Sequence, residues 1–256
     1  EPARDVAVLP RDDDPDLVGV ATADGLRVAP VGDDAEFEPI APAADAAVAA
    51  GVHDGAFLVA GEDGGIDRVA VEEADGAPTA AAVTRIGSVS EPRAIDGPLV
   101  AATDGVYQVT GGGADATRTL TSVGLDDARD VAGAGMPLAA TGAGLYWLGN
   151  GWMTAVDGAA EAVAADGDGH AMAVVDGDLL VHSADAPESG TDAWDGETWS
   201  ETELPVDEDA VALGYGPGIS VAVTAAGTLC VDAGDGWRHQ VVGVRDVAGV
   251  ALAVVE

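Results

Sequence analysis

ARDVAGAGMPLAATGAGLYWLGNGWMTAVDG, residues 128–158, predicts four short strands joined by tight turns. The predicted strands cover residues 129–132, 137–141, 145–148 and 152–156. Glycines separate them, because glycine reaches positive φ without a Cβ clash, and the Asn150-Gly151 pair suits a two-residue hairpin. Four antiparallel strands form one small sheet that must pack against neighbours to bury both of its faces.

Weaker copies of this unit fill the chain at a spacing of about 40 residues, which is typical of β-propeller blades. The predicted inner strands of the copies cover residues 4–9, 45–49, 93–95, 129–132, 170–175 and 210–213. A threonine closes the second strand and a glycine follows shortly after it, at Thr22/Gly25, Thr103/Gly105, Thr141/Gly144 and Thr224/Gly227. The repeat predicts an all-β β-propeller of four-stranded antiparallel blades, formed as a single domain by residues 1–256.

The pattern begins again after the sixth copy. Residues 245–248 repeat the start of an inner strand, and residues 251–255 resemble a second strand. We therefore expect six complete blades plus an incomplete seventh. The outer strands of this closing blade would lie upstream of residue 1, because propellers commonly close by pairing strands from both termini. The alternative is a six-bladed ring whose last two segments pack irregularly.

The composition predicts an acidic, soluble chain adapted to high salt. The net charge is −36, and all ten basic residues are arginine. Dense carboxylates keep a surface hydrated, and molar salt screens their repulsion to within about 3 Å; an acidic mesophilic protein is the alternative. The charge argues against nucleic-acid binding, and no apolar run approaches about 18 residues, the length of a membrane span. We expect a cytoplasmic monomer.

Several motifs of the repeat are similar to a haloarchaeal β-propeller family without an assigned activity. They lie at residues 128–131, 137–141, 144–146, 148–152 and 234–238. The similarity extends over essentially the whole chain. It implies the propeller fold and a halophilic source, and it implies no mechanism.

The strongest candidate site is an Arg-Asp pair at the head of the inner strand. The residues are Arg4, Asp5, Arg129, Asp130, Arg245 and Asp246, with Arg93 at the same position but without the aspartate. Guanidinium groups suit carboxylate and phosphate. These residues therefore predict an anion or acidic-peptide site at the mouth of the central channel that the inner strands of a propeller line. The alternative is that each arginine pairs with an aspartate of a neighbouring blade and holds the ring together.

Three other features are weaker candidates. Residues 166–170, Asp-Gly-Asp-Gly-His, have alternating aspartates that suit a cation but also suit a plain turn. Residues 194–199 resemble half of an Asp-box, a structural hairpin of sialidase-like propellers. Cys230, the only cysteine, excludes an intramolecular disulfide and lies in an apolar segment, where a buried thiol is expected.

These observations favour a non-enzymatic propeller that binds a protein partner or a small anionic ligand at its axial face. No catalytic residue, metal ligand or cofactor is assigned. The alternative is a metal-dependent hydrolase or lactonase-like enzyme, whose metal would be held in the axial channel by side chains from different blades. A third hypothesis is a docking surface within a larger assembly.

Overall fold

The structure, a computed structural model, describes residues 2–12, 14–32, 36–40, 45–74, 76–112, 117–182 and 193–254. Its strands form six four-stranded antiparallel sheets, so the predicted fold class and blade type are confirmed. The chain divides into two compact units, residues 1–124 with 251–256, and residues 125–250. Each unit contains three of the blades.

The first unit contains blades 1 to 3. Blade 1 consists of β1 (Ala3–Leu9), β2 (Leu17–Thr22), β3 (Gly25–Pro30) and β4 (Glu38–Pro39). Blade 2 consists of β5 (Ala47–His53), β6 (Ala56–Gly61), β7 (Gly65–Ala74) and β8 (Ala77–Ser88). Blade 3 consists of β9 (Pro92–Asp96), β10 (Leu99–Ala102), β11 (Gly105–Thr110) and β12 (Thr119–Gly124).

The second unit contains blades 4 to 6. Blade 4 consists of β13 (Ala128–Ala132), β14 (Leu138–Thr141), β15 (Gly144–Leu148) and β16 (Trp152–Asp157). Blade 5 consists of β17 (Ala160–Ala165), β18 (Ala171–Val175), β19 (Asp178–His182) and β20 (Trp199–Glu201). Blade 6 consists of β21 (Ala210–Gly216), β22 (Ile219–Thr224), β23 (Thr228–Asp232) and β24 (Arg238–Val241).

The sequence prediction for blade 5 was shifted by one strand. Residues 170–175, predicted as the inner strand, form the second strand β18, and the inner strand is β17. β17 was missed because the apolar run at residues 171–175 was taken as the inner strand, although it forms the second strand of the sheet.

Among the described residues the predicted incomplete seventh blade does not appear, and the six-bladed alternative fits the structure. Residue 255 of the predicted segment lies outside the described residues. Residues 242–254 contain no strand. Asp246, which would occupy a strand position, has a φ of 54°, and Gly243 has a φ of 76°. Left-handed residues interrupt an extended strand, and a two-stranded hairpin alone is marginally stable in water.

Within each unit, blades pack through their inner strands. β5 packs between β1 and β9, and β17 packs between β13 and β21. Each of the four hydrophobic clusters combines residues of two consecutive blades. Alanine and glycine allow this close approach: a Cβ on Gly51 of β5 would lie 2.6 Å from the main-chain oxygen of Ile95 in β9.

In blades 1 and 4 the recurring threonine organises the turn between the second and third strands. Thr22 Oγ1 donates to the carbonyl oxygen of Gly25 over 2.9 Å, and Thr141 Oγ1 donates to that of Gly144 over 3.0 Å. The Thr141 hydroxyl also accepts from the Gly144 N–H. In blades 1 and 4 the Thr–Gly spacing therefore has a local structural cause, which is a side chain closing its own turn. The hydroxyls of Thr103 and Thr224 donate instead to the Ser90 carbonyl oxygen and to Glu208 Oε2.

Candidate functional site

All six described inner strands have a β-bulge at the same repeat position. In each strand, one residue is skipped in the register with the second strand, and the skipped residues are Arg4, Val48, Arg93, Arg129, Glu161 and Val211. A bulge locally breaks the alternation of side chains and re-aims the extra residue. Arg4, Arg93 and Arg129 of the predicted site therefore occupy a position at which every described inner strand has a bulge.

The aspartates that follow two of these arginines bridge adjacent blades. Asp130 Oδ1 accepts from the N–H of Val131, and its Oδ2 accepts from the N–H of Val163 in blade 5, both over 2.9 Å. Asp5 makes the same pair of contacts, to Val6 over 2.8 Å and to Ala50 of blade 2 over 2.9 Å. Both carboxylates are thus occupied by main-chain amides at the seam between blades.

The arginines beside them reach acidic residues of the next blade. Arg4 Nη1 lies 2.5 Å from Glu62 Oε1 of blade 2 and 3.3 Å from the Ala47 oxygen. Arg129 Nη1 lies 3.5 Å from Glu161 Oε1 of blade 5. Pairing between blades is therefore present at Arg4 and Arg129, with glutamate in place of the expected aspartate. Arg129 Nη2 also lies 3.8 Å from Asp127 Oδ2, which precedes β13. Both arginine side chains remain 32% exposed.

The other members of the predicted set have different positions. Arg93 lies at the bulge of β9 and is exposed. Arg245 and Asp246 are also exposed, but they lie in the segment without strands. The structure therefore places Arg4, Arg93 and Arg129 at equivalent positions of their blades, and it does not place Arg245 on an inner strand.

The Asp-Gly-Asp-Gly-His stretch is a closed turn. Asp166 Oδ1 accepts from the N–H groups of Asp168 and His170 over 2.7 and 3.1 Å. Its Oδ2 lies 2.6 Å from His170 Nδ1. These bonds hold the pKa of Asp166 below its usual value despite the opposing effect of burial. Of the two interpretations of this stretch, the contacts match the turn.

The segment that resembles half of an Asp-box forms a 3₁₀ turn at Gly196–Thr198, capped by the side chain of Asp195. Its tryptophans enclose His182: the ring of Trp194 stacks on the imidazole at 3.9 Å, and Trp199 meets it edge-on at 5.3 Å. The two ring nitrogens of His182 lie 2.8 Å from main-chain oxygens of Gly169 and Ala193. Sequence reasoning missed this buried histidine because its partners are distant in the chain.

Among the residues described, no group of three or more His, Cys, Asp or Glu side chains is arranged to hold a metal ion. Cys230 is fully buried in β23, as expected for a structural thiol. Burial raises the pKa of the Cys230 thiol, with a further contribution from Glu208. No helix in the described parts of the chain has the length and apolar character needed to cross a membrane.

Burial also raises the pKa of Tyr215, and the charge of Asp166 adds to the effect. The folded protein therefore holds this proton after the unfolded chain has lost it. We expect the free energy of unfolding to be unaffected below about pH 10, the ordinary tyrosine value, and to fall as the pH rises further. Urea unfolding at pH 8, 10 and 11 should show a smaller decline in Tyr215→Phe than in the wild type; equal declines would contradict this assignment.

Comparison with known proteins extends the structural result. A family model described as Beta-prop_HVO_0234-like, beta propeller, matches residues 1–253. No curated protein matches the sequence. Many solved structures have a similar fold, and the comparison with them therefore concerns the fold.

Three of these structures illustrate the range. One is described as "YCF48 bound to D1 peptide", at 15% identity and a TM-score of 0.58, covering 94% of this chain and 84% of that one. The WD40 propeller domain of Doa1 has 13% identity and a TM-score of 0.64, with coverages of 98% and 86%. Virginiamycin B lyase from Staphylococcus aureus has 9% identity and a TM-score of 0.65, with coverages of 96% and 87%. At these identities the likeness shows the fold alone.

Proposed function

Since the chain belongs to the HVO_0234-like β-propeller family, whose fold is a generic scaffold for protein interactions, we propose that it is a non-enzymatic binding protein. It binds a protein partner or a small anionic ligand through the arginines at the bulges of its inner strands. In β-propellers the inner strand of each blade lies nearest the axis. The ligand therefore approaches from the axial face.

The observation that carries this proposal is the bulge shared by all six described inner strands. A bulge re-aims one side chain per blade, and in blades 1, 3 and 4 that side chain is an arginine. The neighbouring aspartates are occupied at the blade seams, so the contact with a ligand falls to the arginines. YCF48, a structural neighbour with this fold, is described as bound to a peptide, which supports a peptide-like partner.

The acidic composition indicates the conditions in which this binding operates. A net charge of −36 repels an anionic partner at long range, but salt at about 1 M reduces the screening length to about 3 Å. Contacts between an arginine and a carboxylate at hydrogen-bond distance persist under those conditions. We therefore place the function in a halophilic cytoplasm, where the surface charge is screened.

A fluorescein-labelled oligoglutamate peptide tests the proposal by fluorescence anisotropy in about 1 M KCl. Arg93→Gln is expected to weaken peptide binding about tenfold, because one charge-assisted contact contributes roughly 1.5–3 kcal/mol. Arg238→Gln is the matched control, since Arg238 is an exposed arginine of β24 that pairs only with Asp235 among the described residues. Equal affinity of the two variants, or no binding to the wild type, would contradict the proposal.

A further inference from the structure

Two arginines and a histidine of the first unit meet at Asp54, in the turn between β5 and β6. Arg118, immediately before β12, donates from Nη2 to Asp54 Oδ2 over 3.2 Å. Arg68 of β7 donates from Nη2 to the main-chain oxygen of Asp54, also over 3.2 Å. His53 Nε2 lies 3.7 Å from the same carboxylate oxygen. Two positively charged guanidinium groups therefore contact the same residue, and Asp54 provides a single carboxylate among the described residues.

This positive surplus contrasts with the rest of the chain, which has 46 acidic and ten basic residues. Five other arginines pair with at least one carboxylate each, namely Arg4, Arg11, Arg85, Arg129 and Arg238. Arg68 is bonded to a main-chain carbonyl instead. Its pKa is lowered by burial and by the nearby charge of Arg118, while the hydrogen bond from Arg118 lowers the pKa of Asp54.

The two guanidinium groups are also incompletely bonded. The Nε atoms of Arg68 and Arg118 are both shielded from solvent, and neither has an acceptor among the described residues. A shielded N–H without an acceptor costs about 1–3 kcal/mol. In each side chain, Nε and Nη2 form the edge that can donate hydrogen bonds to two oxygens of an oxyanion. Only the Nη2 half of that edge is bonded, to an oxygen of Asp54.

Gly112 leaves a space beside the Nε–Nη2 edge of Arg118. A side-chain carbon on Gly112 would lie 3.6 Å from Nη2 and 3.8 Å from Nε of Arg118, and 3.4 Å from Asp54 Oδ2. Gly112 has a φ of +139°, a conformation that favours glycine over residues with a side chain. An oxygen placed there needs to move by only about 1 Å to reach hydrogen-bond distance from Nε.

We propose that Arg68, Arg118 and His53 bind a small inorganic oxyanion with the size and charge of phosphate, at the seam between blades 2 and 3. Two guanidinium edges and an imidazole provide several donors, which suits an anion with several oxygens. The shielding of the Nε atoms restricts the ligand to a compact one. Asp54 competes with the ligand for the same donors.

This site is separate from the arginines of the proposed function. Arg4 contacts Ala47 at the start of β5, whereas His53 is the last residue of that strand. Seven residues of extended strand span about 20 Å. Phosphate binding and peptide binding are therefore expected to respond to different substitutions.

Titration of the protein with inorganic phosphate, followed by ³¹P NMR at constant ionic strength held with chloride, tests the proposal. The wild type should show saturable binding, and Arg118→Gln should weaken it at least about tenfold. Asp54→Asn should bind phosphate about five- to tenfold more tightly, because a competing negative charge has been removed. Arg238→Gln should bind like the wild type.

Three results would overturn the proposal: no saturable binding to the wild type, equal affinity of Arg118→Gln and Arg238→Gln, or weaker binding by Asp54→Asn. Circular dichroism of each variant verifies folding. If Arg118→Gln does not fold, Arg68→Gln replaces it with the same expected loss. Peptide binding of Arg118→Gln should remain at the wild-type level, so failure of this site and failure of the proposed function are distinguishable.

Discussion

Replacing Asp130 with alanine is expected to lower the free energy of unfolding by about 2–4 kcal/mol, because two main-chain N–H groups lose their acceptor. These belong to Val131 and Val163, whose residues are 2% and 5% exposed, so water replaces the carboxylate poorly. Asp130→Asn retains one acceptor oxygen and should lose about half as much. Urea unfolding at constant salt measures both variants.

Asp232→Ala is the matched control for this prediction. Asp232 Oδ1 also accepts from two main-chain N–H groups, those of Gly234 and Gly236, but in an exposed turn. Water can solvate those groups after the substitution, so the expected loss is under about 1 kcal/mol. A loss in Asp130→Ala no greater than in Asp232→Ala would show that the bridge between blades contributes little.

Phe57→Ala is expected to have a larger effect, about 3–5 kcal/mol. Phe57 in β6 is fully buried in the hydrophobic cluster shared by blades 1 and 2. Its ring packs directly over Gly19 of β2: a Cβ on Gly19 would lie 2.6 Å from Phe57 Cε1. Removing the ring therefore leaves a cavity at the seam between the two blades, and thermal or urea unfolding measures the cost.

The same contact provides an internal control. Gly19→Ala alone should destabilise the protein by roughly 1–3 kcal/mol, since the new methyl group overlaps the ring. In the double variant the methyl occupies part of the space that Phe57 has vacated. The double variant should therefore be more stable than the sum of the single effects predicts. Simple additivity would mean that Gly19 and Phe57 do not pack as the structure shows.

The blades could be predicted from sequence because their signals are local. Glycine turns, apolar runs and the Thr141/Gly144 spacing each operate within a few residues. β17 escaped prediction because the neighbouring apolar run at residues 171–175 was taken as the inner strand, and the order of strands in a sheet is not a local signal. The seventh blade was predicted from Arg245-Asp246-Val247-Ala248. A strand also needs pairing partners, however, and the left-handed φ of Asp246 interrupts the extended backbone at this position.

The candidate site was predictable only in part. The recurrence of the Arg-Asp pair at one repeat position identified it as a candidate site. Its residue types suggested two roles, ligand binding and pairing between blades. The recurrence did not reveal that Asp130 serves the bridge while Arg129 lies at a bulge, because a bulge is defined by the register with the second strand. Similarly, Arg68, Arg118 and Asp54 are far apart in the chain and belong to no repeated motif.

We propose that adjacent residues have different roles: the aspartate joins the blades and the arginine contacts the ligand. The most direct test measures peptide anisotropy and urea unfolding together for Arg129→Gln and Asp130→Asn. We predict that Arg129→Gln binds the peptide about tenfold more weakly while losing at most about 1 kcal/mol of stability, as expected for an exposed ion pair. Asp130→Asn should be less stable with unchanged peptide affinity. Unchanged binding in Arg129→Gln, with a stability loss equal to that of Asp130→Asn, would contradict the claim.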